Sequence, residues 1–259
     1  MKMDLHTHTV FSDGKATVAE LLHQASVAGV DLLAVTDHFD PNDYRPSIAN
    51  LSEETLLTHF DLIKGLSESY PDMVVLCGIE TVPLADGTLD LSQEVKARCD
   101  LVVTSCHYLP YRKALVPGDF FTDEYWELFK QTMLSMAAGE GDILGHCEDY
   151  LPIKEFLCGM NTTFSERREI CRRIVDRYCD EQYVHTLADA LVGSGKSCEL
   201  HCATQTPREW VIERMADRGV TFTVGTDSHS LDSVGQVSWA YDMIDRFGLR
   251  LRQMEVRNG

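Results

Sequence analysis

Seven short apolar runs in this 259-residue chain each end on a side chain that can bind a metal ion. KMDL leads into His6-Thr7-His8, DLLAVT into Asp37-His38, and MVVLCGI into Glu80. DLVVTSC runs into His107, DILG into His146, SCEL into His201, and VTFTVGT into Asp227-Ser228-His229. His6 and His8 stand two apart in an extended segment, so both imidazoles face the same side. An HxH alone is weak evidence; joined to TDH and GTDSH, each after an apolar run, the pattern becomes specific. Imidazole and carboxylate donors without thiolates suit zinc, manganese or iron, and the sequence does not choose among them. Glu80, alone at its strand end, is where a carboxylate bridging two cations would be useful. Asp13, in the Ser12-Asp13-Gly14 turn, is a candidate to fold back and add an oxygen; a plain turn aspartate is the alternative. Cys106 and Cys147 flank His107 and His146 and read as small buried hydrophobes. His23, His59 and His185 fall inside expected helices, away from the other histidines, and serve as controls.

The elements that must gather these side chains are strands alternating with amphipathic helices, the signature of βα units and a parallel sheet. Thr17 caps a helix carrying Val18, Leu21, Leu22 and Ala25, and Gly29 stops it. Ser52 caps the next, with Glu53 and Glu54 in its first turn, where the helix dipole favours acids. Thr122 opens a third, ending near Ala138-Gly139. One long helix is expected from Ser165-Glu166 through Ala190, and Thr206-Pro207 opens another, with proline at the favoured first position and Gly219 ending it. A parallel barrel collects the C-terminal ends of its strands at one mouth. Seven units rather than eight make the expected fold α/β, an irregular (β/α)7 TIM-like barrel, in a single domain over residues 1–259. Two loop-like inserts, 39–50 and 108–121, follow strands and are expected to rise over the mouth.

The net charge of −18 argues against a nucleic-acid polymer as partner, because such binding rests on Lys and Arg neutralising phosphates. The nine cysteines form no CxxC pair, which suits free thiols in a reducing compartment. No secretory leader pattern and no apolar stretch near membrane-spanning length is present, so the expectation is a cytoplasmic protein without membrane contact. A homo-oligomer is compatible with the sequence. The Gly193-Ser194-Gly195-Lys196 stretch is not a P-loop, since it lacks the upstream glycine spacing and precedes a strand.

In order, HTHTVFSDG, AVTDH, GIE, SCHY, ILGH and VGTDSH resemble the PHP superfamily, shared by polymerase-associated domains and histidinol phosphatases. The resemblance covers nearly the whole chain, and the stretch from SCHY through EYW to DILGH looks closest to the stand-alone histidinol-phosphatase branch. It implies an irregular barrel holding two or three divalent metal ions. In that pattern His6, His8, Glu80 and Asp227 surround the first. Asp13, His38 and His229 surround the second, and Glu80, His107 and His146 the third. One departure is His201, where that branch usually has Asn. The position lies near the substrate in that branch, which makes His201 a candidate substrate contact.

The expected activity is metal-dependent hydrolysis of a small phosphoric monoester, with L-histidinol phosphate the leading substrate. Asp227 is the candidate to orient the nucleophile or move its proton, and His229 or His201 to protonate the leaving oxygen. Arg45 in the first insert, Arg112 and Lys113 in the second, and Arg208 after the sixth strand are candidate phosphate clamps. No GxSxG motif is present, which favours direct attack by water. The alternatives are a phosphatase or phosphodiesterase acting on nucleotides or other small phosphates, an amidohydrolase, and a non-catalytic metal-binding scaffold. No strand end carries the lysine that a carboxylated bridge in an amidohydrolase would need.

Overall fold

A computed structural model describes residues 1–109 and 122–253. The strands are β1 (Met3–Asp4), β2 (Leu32–Val35), β3 (Val74–Thr81), β4 (Leu101–Thr104), β5 (Ile143–Leu144), β6 (Ser197–His201) and β7 (Phe222–Gly225). They pair in chain order, every pair parallel. Leu5 N–H donates to Val224 O at 2.8 Å and His8 N–H to Ser228 O at 2.9 Å, which brings the first strand against the last. The result is the (β/α)7 TIM-like barrel expected from the alternation.

Helices α1 (Val18–Val27), α2 (Pro46–Ala49), α3 (Glu53–Ser67), α4 (Gln93–Arg98) and α5 (Asp123–Ala138) punctuate the first half. Further on come α6 (Lys154–Gly159), α7 (Phe164–Tyr178), α8 (Glu181–Ser194), α9 (Glu209–Asp217) and α10 (Ser238–Phe247). Thr17 and Glu20 form a reciprocal capping box at α1, Ser52 caps α3, and Thr122 caps α5, as their side chains predict. Leu32 and Ala34 pack into one apolar cluster while Leu33 and Val35 pack into another, so β2 is buried on both faces, as parallel strands are.

Two helix expectations fail for local reasons. The single helix through Ala190 is two: Thr163 caps α7, and Asp180 accepts from Tyr183 N–H to cap α8, restarting the helix at a corner. Thr206 does not open α9, because its backbone exchanges hydrogen bonds with His201 at 2.9 and 3.2 Å. That pairing consumes the groups a cap would need, and the helix starts at Glu209. Among the described residues, no helix is long and apolar enough to cross a membrane.

Candidate metal centre at the barrel mouth

The barrel carries the metal-type side chains of its strand ends into three overlapping groups. His6, His8, Glu80 and Asp227 form one; His8, Asp13, His38 and His229 a second; His38, Glu80 and His107 a third. Within each group the potential ligand atoms lie within 4.8 Å of one another. Glu80, only 1% exposed, divides its carboxylate between them. Its Oε2 lies 3.3 Å from His6 Nε2, 3.4 Å from His8 Nε2 and 3.0 Å from His38 Nδ1. Its Oε1 lies 3.2 Å from His107 Nε2 and 2.9 Å from His146 Nε2. The first group matches the set implied by the resemblance. The second adds His8, and the third has His38 where His146 was expected, with His146 held at the side by its bond to Glu80.

The donors present fit divalent cations. Buried His6 Nε2 and both ring nitrogens of His8 make no hydrogen bond, although carboxylate oxygens lie within 3.0–3.6 Å of the two Nε2 atoms. These three nitrogens thus converge on carboxylates without being satisfied by them, and a buried polar atom left unpaired is destabilising.

Residues behind the ring fix its orientation. His6 Nδ1 donates to Glu199 Oε1 at 2.8 Å, which leaves Nε2 free to ligate, and Glu199 Oε2 accepts from His146 N–H at 2.7 Å. Gly225 makes room for this pair, since a Cβ there would stand 2.1 Å from Glu199 Oε1 and 2.6 Å from His6 Cβ. Asp4 accepts from Thr226 N–H, the Thr226 hydroxyl and Gly235 N–H, tying β1 to the segment that carries Asp227. Asp37 accepts from Thr9 N–H, the Thr9 and Ser12 hydroxyls and His59 Nε2 at 2.7–2.9 Å, which shapes the turn bearing Asp13. His59 is the hydrogen-bonded core histidine that its place in a helix implies: α3 brings it, buried, against Asp37. His23 is exposed and His185 half-buried, without a link to the mouth. Glu199, two residues before His201 on the same strand face, was legible from strand periodicity and was not singled out.

Electrostatics within the cluster follow from too many imidazoles sharing too few carboxylates. Burial opposes protonation of His6, yet Glu199, Glu80 and Asp227 hold its pKa well above the ordinary value. Burial, aided by the His38 charge, pushes His8 down to about 4, and burial likewise lowers His107 to about 4. Burial disfavours the charged forms of Glu80 and Asp227, but the surrounding imidazoles hold both carboxyls well below the usual range. Burial alone pushes the Cys106 thiol up to about 12, in keeping with a packed hydrophobe rather than a thiolate ligand.

Of the expected substrate contacts among the described residues, only Arg45 reaches the mouth cavity, which is also lined by Tyr44, Tyr150, Lys154 and ligand residues. Its guanidinium bonds Asp43 at 2.9 Å and Asp13 at 3.2 Å. Arg208 is turned elsewhere, held by Glu148 and Asp176, each at 2.6 Å, in a separate groove with Trp210. His201 is fully buried, with Nδ1 on the Thr204 hydroxyl at 2.6 Å and Nε2 facing Asp227 Oδ2 at 3.3 Å. It stands behind Asp227 rather than at the cavity surface. Arg112 and Lys113 lie outside the described residues.

The chain is similar to known proteins in several ways. It is 33% identical over 107 residues to the DNA polymerase/3'-5' exonuclease PolX of Bacillus subtilis, a match spanning 41% of this chain but only 18% of that one. It is 25% identical over 255 residues to a protein of Vibrio campbellii named "Probable phosphatase", covering 96% of this chain and 86% of that one. The histidinol phosphate phosphatase of Lactococcus lactis, solved with zinc, L-histidinol and phosphate, superposes with a TM-score of 0.64. That likeness covers 98% of this chain and 97% of the other at 16% identity, a likeness of fold. The PHP domain pattern matches residues 4–186, a span holding every group member described above except Asp227 and His229, and the chain belongs to the PHP domain family.

Proposed function

We propose that this protein is a metal-dependent phosphatase acting on a small phosphoric monoester, with L-histidinol phosphate the leading substrate. The observation that carries the reading is Glu80, whose Oε2 faces His8 of one group and whose Oε1 faces His107 of another, as a carboxylate shared between two cations would. Membership of the PHP family supports it, as does the likeness in fold to a histidinol phosphate phosphatase. His6, His8, Asp13, His38, Glu80, His107, His146, Asp227 and His229 would hold two or three ions of zinc, manganese or iron. Divalent cations held there would supply a water of near-neutral pKa and charge neutralisation for a phosphate ester.

The chain's own residues then orient and move protons. Asp227 Oδ1 faces His8 Nε2 at 3.0 Å, leaving Oδ2, steadied by His201, to orient the nucleophile and accept its proton. His229 donates through Nδ1 to the Asp227 carbonyl at 3.0 Å and borders the cavity, so its Nε2 serves either as a ligand or, where no ion takes it, as the acid for the leaving oxygen. Arg45 neutralises Asp13 and borders the entering phosphate. The test is phosphate release by metal-loaded protein from L-histidinol phosphate, nucleoside monophosphates and sugar phosphates. Metal-dependent turnover of histidinol phosphate above the others supports the reading; turnover only of the others replaces the substrate and keeps the chemistry.

A further inference from the structure

Two cationic side chains among the described residues border the mouth cavity, and they differ in one respect. Arg45 is committed to Asp43 and Asp13. Lys154, at the start of α6, has its Nζ 4.8 Å over the centre of the Tyr150 ring and forms no ion pair with a described residue. In a chain with 41 acids against 23 Lys and Arg, an unmatched lysine beside a carboxylate-rich cluster is left available for an incoming anion.

Tyr150 adds a second donor. Its ring is held edge-on by His146 and His201, with centroids 5.4 and 5.3 Å away, so the residues that set the ligand cluster also set the phenol. The hydroxyl makes no hydrogen bond with a described residue and is free to donate its O–H. An ammonium and a neutral hydroxyl, both uncommitted, share one cavity with His38, Glu80, His107, His146, Asp227 and His229. The chemistry that suits both is a small oxyanion whose remaining oxygens face the cluster.

We propose that Lys154 and the Tyr150 hydroxyl bind the phosphoryl oxygens of the substrate that the metal cluster does not engage, making them substrate-positioning residues. This rests on the phosphatase reading. Neither residue holds the fold together, since Lys154 is exposed and Tyr150→Phe keeps the ring contacts.

The experiment pairs calorimetric binding of inorganic phosphate to manganese-loaded protein with steady-state hydrolysis of p-nitrophenyl phosphate. Lys154→Met is expected to weaken phosphate binding and raise KM by about tenfold each, the loss of one charge-assisted contact, with metal content unchanged. Lys154→Arg restores most of the loss, and Tyr150→Phe weakens binding by about threefold or more. Wild-type phosphate affinity in Lys154→Met overturns the proposal, whatever the turnover. Lys154-dependent phosphate binding without turnover of any monoester overturns the phosphatase reading and leaves the anion site standing.

Discussion

His201 Nε2 faces Asp227 Oδ2 at 3.3 Å while its Nδ1 meets the Thr204 hydroxyl at 2.6 Å, so the imidazole is fixed at both ends without reaching the cavity. A neutral ring satisfies both contacts, donating from Nε2 and accepting at Nδ1. Asp227 itself holds a left-handed backbone, φ 52°, a conformation that needs outside support in a residue other than glycine. His201→Ala is therefore expected to weaken metal binding about 10- to 100-fold while leaving KM at saturating metal within about threefold. Metal titration and steady-state kinetics on one preparation check this. A large KM change with intact metal affinity would return His201 to substrate contact.

Glu80 belongs to two of the three ligand groups, so Glu80→Gln removes charge from both at once. The expected outcome is loss of at least one bound ion by elemental analysis and a fall in kcat of about 10²–10³-fold. Retention of every ion would deny Glu80 its bridging place.

Asp37 accepts from the Thr9 N–H and hydroxyl, the Ser12 hydroxyl and His59, all in buried or half-buried surroundings. Asp37→Ala leaves those donors unpaired and is expected to destabilise the fold by about 2–4 kcal/mol in urea unfolding. His59→Phe keeps the stacking on Phe11, whose centroid lies 4.1 Å away, and is expected to cost about 1–2 kcal/mol.

Strand ends were the legible part of this molecule, because a parallel barrel turns sequence order into a ring of side chains. That His6, His8, Glu80 and Asp227 share one mouth was legible because each follows or ends an apolar run; their grouping around one ion came from the family resemblance. What the sequence did not reveal are the directions of side chains beyond the strands. Arg208 follows β6 as expected, yet Glu148 and Asp176 draw it into another groove. His59 is a helix residue by pattern, and only the packing of α3 against the 9–14 turn makes it a partner of Asp37. Lys154 and Tyr150 lie in a stretch without periodicity, where Tyr150 takes φ 45° and no spacing rule marks either residue.

Lys196 supplies a stability test away from the mouth. Its buried ammonium donates to Met136 O and Glu140 O at 2.6 Å and to the Thr104 hydroxyl at 3.1 Å, and burial lowers its pKa to about 8. The folded value lies below the unfolded 10.5, so between these pH values the unfolded chain binds more protons and stability rises with pH. Compared with Lys196→Met, the wild type is expected to gain about 2 kcal/mol between pH 7.5 and 9.5 in urea unfolding, and no change below about pH 7. A parallel pH profile for the two proteins would contradict the lowered pKa.

In the proposed reading, side chains at the barrel mouth hold metal ions and the protein hydrolyses a phosphate monoester. The most direct measurement is phosphate release from L-histidinol phosphate by chelator-stripped protein, by the same protein reloaded with zinc, manganese or iron, and by reloaded Asp227→Asn. No turnover is expected in the stripped sample, with recovery on at least one metal and a loss of about 10²-fold or more in the variant. Bound metal with no phosphate released from this or any other monoester would contradict that reading.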